Sequence, residues 1–247
     1  SAAGGVVLRR GTAPKLTGEV LTLDSNGVKI RIEQGATRVI PWDRVRDVQT
    51  DSALAGDFEN YKQTAEKLWR ARTRLERYDA RLAAPLFEEL FETYRGQTNE
   101  TARVVAEGLL RCRLRSGANE LAVIPALELL RLQRAGVTTN SYSWLREQRP
   151  LFDDPAVLCR YLPPTWISPR GMRKLQSELK SYETGDDAVV KAVTRLYQRA
   201  VDQMIEAQIA EATGKSDGNV DSSSKSSEGK QTAARIQLPP DRPELLF

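Results

Sequence analysis

The strongest constraint on the fold is a pair of matching helical segments in the middle of the chain. The run ARTRL at 71–75 returns as LRCRL at 110–114, and each copy precedes a run that contains a proline, LAAPLFEEL (82–90) and AVIPALELL (122–130). Apolar residues recur every three or four positions through both copies, which is the spacing of an amphipathic helix. The chain therefore carries a duplicated pair of helices.

Candidate caps and stops divide each copy into two helices. Asp79 and Gly96 are expected to begin and end the second helix of the first copy, and Asn119 and Gly136 that of the second copy. The caps are 40 residues apart and the matching first helices 39, which predicts one extra residue in the second inter-helix turn. One hairpin cannot bury its own apolar face, so the copies are expected to stack.

The stacked hairpins resemble the tetratricopeptide repeat (TPR) family. In LAAPLFEEL the small residue Ala83 precedes the aromatic residue Phe87 by four positions, as in the second helix of a TPR unit. The resemblance covers 53–136 and is partial, because the Trp–Leu–Gly–Tyr set of the first TPR helix is absent and the period is longer. It implies a TPR-like α-solenoid, and no binding residue is carried over from the family.

The first 50 residues follow a period of two instead of 3.6. In GVKIRIE (27–33) apolar residues alternate with charged ones, and Asn26 and Gly27 supply a tight turn before it. Five short strands are predicted, at 5–10, 17–23, 27–33, 36–40 and 45–49.

These strands, with the turn PWDRV (41–45), resemble an SH3-like or Sm-like small β-barrel. The resemblance implies a docking module that binds peptides, RNA or other subunits. Trp42 is either a platform for a ligand or a core residue that closes the barrel floor.

The predicted fold class is α+β and multidomain: a small five-stranded β-barrel, an all-α helical-hairpin repeat domain and a disordered C-terminal tail. The tail is rich in Ser, Lys and Gly, and its end, LPPDRPELLF, is a candidate linear motif. The ranges are 1–50 for the barrel, 51–212 for the repeat domain (repeats about 57–96 and 101–136, irregular unit 141–182, capping helix 186–212) and 213–247 for the tail.

The composition argues against most catalytic chemistry. The 247 residues contain no histidine, the commonest metal ligand and acid–base group, and no glycine-rich phosphate loop or nucleophile elbow. The cysteines, Cys112 and Cys159, are far apart, and Cys112 lies among leucines as a buried thiol would. No apolar run is long enough for a transmembrane segment. We expect a protein without cofactor or metal that is not an enzyme.

Arginines and tryptophans are the candidate binding residues. Arginines lie at helical spacing in the first copy and recur in the second, so they form either a ridge for a polyanion or a solvated face paired with acidic residues. Trp144 and Trp166, in the irregular unit, are either core or the wall of a peptide groove. The candidates for partner binding are Arg70, Arg74, Arg77, Arg111, Arg113, Trp42, Trp144 and Trp166.

These observations predict a non-catalytic scaffold or adaptor that binds protein partners, as a subunit of a larger complex. Its expected binding face is formed by the first helices of the two hairpins, 57–77 and 101–116. The alternative is a nucleic-acid-binding protein that uses the barrel and the arginines together, although the net charge is only +4. The start SAAGGVV fits an exported protein whose signal peptide has been removed, or a trimmed chain.

Overall fold

The computed structural model describes residues 4–32, 35–50, 54–137, 151–152, 158–159, 161–163 and 171–214. Within these ranges an antiparallel sheet is followed by six α-helices, which confirms the α+β layout. The chain divides into two compact units, Ser1–Met204 and Ile205–Phe247, and of the second the structure describes Ile205–Gly214. The expected disorder of the tail after Gly214 and most of the irregular unit lie outside the described residues.

The sheet consists of β1 (Gly4–Arg9), β2 (Leu16–Asp24), β3 (Gly27–Ile32), β4 (Thr37–Ile40) and β5 (Val45–Thr50). Its order is β4-β3-β2-β1-β5, with antiparallel neighbours throughout. The alternation predicted for β3 is confirmed, because Val28 and Ile30 are buried while Lys29 and Arg31 are exposed.

Position 27 can be occupied only by glycine. Its φ is 134°, and a Cβ at this position would lie 2.1 Å from the carbonyl oxygen of Ile40. The glycine therefore lets β3 begin directly beside the end of β4.

The sheet and the first helix share a buried core. A 3-10 turn at Trp42–Arg44 leads into β5, after which α1 (Leu54–Glu76) packs against β5 and β2. Trp42 is fully buried, its ring stacks on Tyr61 with a centroid distance of 4.6 Å, and its indole N–H donates to the Asp24 carbonyl at 2.8 Å. The aromatic contact fixes α1 on the sheet.

Four helices form the two predicted hairpins. The first pairs α1 with α2 (Ala80–Tyr94), and the second pairs α3 (Glu100–Arg115) with α4 (Asn119–Arg134). Helix α3 packs against both α2 and α4, so the hairpins stack. Both prolines, Pro85 and Pro125, lie inside the second helices as predicted.

The two inter-helix turns have the same length, so the predicted extra residue in the second turn is wrong. The Asp79 N–H donates to the Arg74 carbonyl at 2.9 Å, and 39 residues later the Ala118 N–H donates to the Arg113 carbonyl at 2.9 Å. The Asp79 carboxylate caps α2, as predicted. Asn119 is not a cap: Ala118 holds that position, and the extra residue lies within α4, which has 16 residues against 15 in α2.

The remaining described helices are α5 (Met172–Glu183), which packs on α4, and α6 (Ala188–Gly214), close to the capping helix predicted at 186–212. The Asp187 carboxylate accepts hydrogen bonds from the Val189 and Val190 N–H groups at the start of α6. These bonds, together with Arg134, hold the pKa of Asp187 below its usual range.

Candidate partner-binding surfaces

Two of the predicted arginines tie each hairpin together. The Arg74 guanidinium donates to the Leu82 carbonyl at 3.0 Å, and the equivalent Arg113 donates to the Leu121 carbonyl. Each bond links the first helix of a hairpin to the start of the second. Arg113 also faces Glu88 at 3.6 Å, and burial lowers its pKa. Both guanidiniums already have partners within the fold.

The other predicted arginines divide between internal pairs and solvent. Arg111 bonds Glu107 at 2.7 Å, and both side chains are largely buried. Arg70 pairs with Glu66 at 2.5 Å, yet both side chains are about half exposed, and Arg77 is exposed. The expected continuous ridge is therefore divided into separate groups.

Of the predicted tryptophans, the structure describes Trp42. The burial of Trp42 beneath α1 favours the core role over the ligand platform that the sequence left open. Trp144 and Trp166 lie outside the described residues.

The structure places an exposed tryptophan where β1, β5 and α1 meet. The Arg10 guanidinium lies 4.7 Å from the ring centroid of Trp69, which is 36% exposed. The Nε of Arg10 donates to the Val45 carbonyl at 2.8 Å, which fixes the guanidinium over the ring. We call the group Arg10, Arg46, Glu66, Trp69 and Arg70 the Trp69 surface.

Positive charge predominates at the Trp69 surface. Partial burial lowers the pKa of Arg10; the negative charge of Glu66 opposes this shift, and smaller contributions from the positive charges of Arg46 and Arg70 add to it. The surface thus holds three guanidiniums and one carboxylate, Glu66, which pairs with Arg70. Because like charges this close repel one another, an added anion would relieve their repulsion.

The face of α1 that carries Trp69 is matched by a buried face of α3. With the 39-residue offset, Trp69 corresponds to Gly108 and Arg70 to Leu109. Every residue of α3 (Glu100–Arg115) is described and none is exposed, whereas Ser116, the last residue of the expected binding face over 101–116, is exposed. Within 61–76, the stretch of α1 that matches α3, the exposed positions are Lys62, Gln63, Glu66, Trp69 and Arg70, and their buried counterparts are Thr101, Ala102, Val105, Gly108 and Leu109.

A second exposed aromatic residue lies at the α1–α2 turn. Tyr78 is 59% exposed, and the Arg115 guanidinium lies 5.0 Å from its ring centroid. Leu82 is 48% exposed nearby in sequence, and Arg77 and Arg81 are exposed as well. We call these five residues the Tyr78 surface. Tyr78 followed the apolar spacing of α1 in the sequence, so its exposure differs from that pattern.

A cleft of about 270 Å³ between α4, α5 and the end of α2 is built around a fully bonded carboxylate. Glu128 accepts hydrogen bonds from the Gly96 N–H at 2.8 Å, from Arg131 at 2.7 Å and from the Tyr182 hydroxyl at 3.2 Å. These bonds join the first hairpin, the second hairpin and α5. Glu128 is therefore a structural residue.

The two thiols are free and buried. Burial raises the pKa of Cys112 to about 12 and that of Cys159 to about 11, so both are protonated near neutral pH. Within the described ranges no group of His, Cys, Asp or Glu side chains could hold a metal ion. No described helix has the length and apolarity to cross a bilayer.

Comparison of the chain with protein families, with curated proteins and with solved structures finds no match in any of the three.

Sequence reasoning missed Arg10, Arg46 and Trp69. A signal for Trp69 was present, because this aromatic residue lies off the apolar stripe that includes Leu68 and Leu75, on the polar face of α1. Arg10 and Arg46 carried no such signal, since they approach Trp69 only when the sheet packs on α1.

Proposed function

We propose that the chain is a non-catalytic adaptor that binds an acidic segment of a partner protein at the Trp69 surface. The observation that carries the proposal is the exposed Trp69, stacked under Arg10 and flanked by Arg46 and Arg70. Tryptophan and arginine are the residues most enriched at the centre of protein interfaces. The matched face of α3 is covered, so the same helical face can serve as a packing surface.

The charge distribution favours a short acidic segment over a long polyanion. A nucleic acid binds along a continuous track of phosphate contacts, whereas Arg74 and Arg113 are engaged inside the hairpins. Glu66 also lies within the surface, where it pairs with Arg70 and interrupts the continuous positive track that a phosphate chain would follow. The three guanidiniums suit a few carboxylates, and Trp69 suits an apolar side chain among them.

The resemblances to a small β-barrel and to TPR repeats are part of the adaptor proposal. The strand order β4-β3-β2-β1-β5, with a 3-10 turn before β5, supports an SH3-like or Sm-like small barrel as the docking module. The stacked hairpins with matched turns support a TPR-like scaffold. In this proposal the barrel and the first helix together form the binding surface.

Nucleic-acid binding is the second candidate, and one observation favours it. A guanidinium stacked on an exposed tryptophan can hold an unpaired base by stacking. The two candidates differ in their dependence on salt, because displacement of phosphate counterions makes nucleic-acid binding weaken steeply as salt increases.

The experiment is selection from a random library of 12-residue peptides on the full chain. The tightest peptide is then titrated into wild type, into Trp69→Ala and into the control Lys62→Ala, an exposed basic residue of the same helix paired with Glu59. We expect acidic peptides with one or two apolar residues, and at least about 10-fold weaker binding to Trp69→Ala. Lys62→Ala should bind within about 2-fold of wild type.

Two outcomes would contradict the protein-binding proposal. One is the failure of any acidic peptide to be selected. The other is tighter binding of a single-stranded oligo-dT probe than of any peptide, with a steep loss between low and moderate salt. The second outcome would establish the nucleic-acid candidate instead.

A further inference from the structure

We propose that the Tyr78 surface is a second docking site for an acidic, apolar segment of a partner protein. This inference rests on the proposed function, in that both concern protein partners, but it concerns different residues. An adaptor that joins two partners needs two separate surfaces, and the Trp69 surface supplies one of them.

Tyr78 has a backbone conformation that is unusual for a bulky residue. Helices α2, α3 and α4 are each followed by a glycine with positive φ, at Gly96, Gly117 and Gly136, whereas α1 is followed by Tyr78 with φ 63°. A bulky residue is disfavoured in this left-handed region, and glycine is the usual residue there. The α1–α2 turn therefore has a conformationally strained tyrosine at the position where the α3–α4 turn has Gly117.

The hydrogen bonds of the turn show that the tyrosine is not needed to form it. The Tyr78 N–H donates to the Leu75 carbonyl at 3.0 Å, and the Gly117 N–H donates to the Leu114 carbonyl at 3.1 Å. The geometry is the same with either residue. Strained residues of this kind concentrate at sites of function, so the side chain is the reason for the tyrosine.

The side chains around the Tyr78 ring suit the binding of a partner. Tyr78 and Leu82 are exposed apolar groups, and tyrosine loses little conformational freedom in binding because it has two side-chain torsions. Arg115 is held against the ring and also donates to the Leu75 carbonyl at 3.2 Å. This arrangement presents the ring in one orientation to a partner.

The positive charges of the Tyr78 surface complement an acidic segment. Arg77 and Arg81 are exposed on either side of the turn, and Arg115 adds a third positive charge. The nearest acidic residue in sequence, Asp79, accepts a hydrogen bond from the Leu82 N–H at 3.1 Å and supplies one negative charge against these three positive ones. The surface therefore attracts carboxylates, while Tyr78 and Leu82 select an apolar side chain beside them.

The test separates this surface from the first. The 12-residue peptide library is selected on the full-length Trp69→Ala variant, so that binding at the Trp69 surface is weakened during selection. The tightest peptide is titrated into wild type, Tyr78→Gly and Tyr78→Phe. We expect an acidic, apolar peptide, at least about 10-fold weaker binding to Tyr78→Gly, and binding within about 3-fold of wild type for Tyr78→Phe, which keeps the ring.

A second readout tests the strain directly. Tyr78→Gly should raise the Tm by about 2–4 °C, since glycine removes the left-handed penalty in a chain of this size. A variant that is more stable and yet binds more weakly identifies a residue retained for binding.

Three results would overturn the inference. They are the absence of acidic peptides from the selection on Trp69→Ala, equal binding of the peptide to Tyr78→Gly and wild type, and a lower Tm for Tyr78→Gly. If peptides selected on wild type depend on Trp69 while none depends on Tyr78, the proposed function stands and this second surface fails. If neither protein selects a peptide, both fail.

Discussion

The two hairpins share a sequence pattern and a turn geometry, yet their first helices lie in different surroundings. Helix α3 has neighbours on both sides in the stack and no exposed residue, whereas α1 packs on the sheet and leaves one face in solvent. The same helical positions hold Trp69 and Arg70 in one copy and Gly108 and Leu109 in the other. Position in the stack therefore decides which copy retains a surface, and the residues differ accordingly.

The α1–α2 and α3–α4 turns likewise share a geometry and differ in one exposed residue. Tyr78 and Gly117 have nearly equal φ values, 63° and 68°, and make equivalent hydrogen bonds. The second copy has the residue that suits the backbone, and the first copy has a residue exposed to solvent. Four experiments, ordered by the expected effect on the free energy of unfolding, test this comparison.

The largest effect is expected at Leu109, which is fully buried in α3. Leu109→Ala should lower the free energy of unfolding by about 3 kcal/mol, because it removes buried methyl groups and leaves a cavity. The matched variant Arg70→Ala should change it by less than about 0.5 kcal/mol. Urea unfolding followed by circular dichroism measures both, and similar losses would show that the two faces are not in different surroundings.

The next effect is expected at Arg113, whose side chain is 13% exposed. Arg113→Met leaves the Leu121 carbonyl without its donor and should lower the free energy of unfolding by about 1.5 kcal/mol. Arg74→Met, in the more exposed copy, should cost about 0.5 kcal/mol. The same urea titrations check this order, and a larger cost for Arg74→Met would reverse the assignment of the buried hairpin.

Gly117→Ala tests the turn. A Cβ at Gly117 meets no atom within 4 Å, so its cost is conformational alone, and we expect a loss of about 1 kcal/mol. Gly56→Ala, in α1 and also without a neighbour within 4 Å, should stabilise the chain by about 0.7 kcal/mol. Thermal unfolding should therefore show shifts of opposite sign. Tm shifts of the same sign for the two variants would contradict the claim that the backbone conformation at Gly117 favours glycine.

The smallest effect on stability is expected at Thr73, the counterpart of Cys112. Burial raises the pKa of Cys112 to about 12, so its thiol stays protonated at pH 8 and should not react with a disulfide reagent in the folded protein. Thr73→Cys, at a partly exposed position, should react within minutes, with a stability change below about 0.5 kcal/mol. Rapid reaction of the wild type at pH 8 would contradict the burial of α3.

Much of the fold was predictable because its signals are local. The alternation in 27–33 and the turn at Gly27 placed the strands, and the 3.6 period with Asp79 and Gly96 placed the first hairpin. Asn119 was assigned wrongly as a cap, because it has the right chemistry but lies one residue inside α4. Backbone hydrogen bonds, which the sequence does not show, decide between Ala118 and Asn119.

The candidate surfaces were less predictable because they depend on tertiary packing. Arg74 shares a helical stripe with Arg70, and Arg113 is its counterpart in α3. Only packing shows that Arg74 and Arg113 bond carbonyl groups of the following helix. Trp69 becomes a binding candidate only when β1 brings Arg10 over its ring. Charge and spacing alone identified the arginines without separating the structural ones from the exposed ones.

The most direct test of the central claim is an amide hydrogen-exchange footprint of the full chain, with and without a saturating concentration of the tightest library peptide. We expect slower exchange in α1 around 66–70 and in β5 around Arg46, with no change in α3. Slower exchange confined to other elements, or unchanged exchange throughout α1, would contradict the claim that the exposed face of the first copy binds the partner.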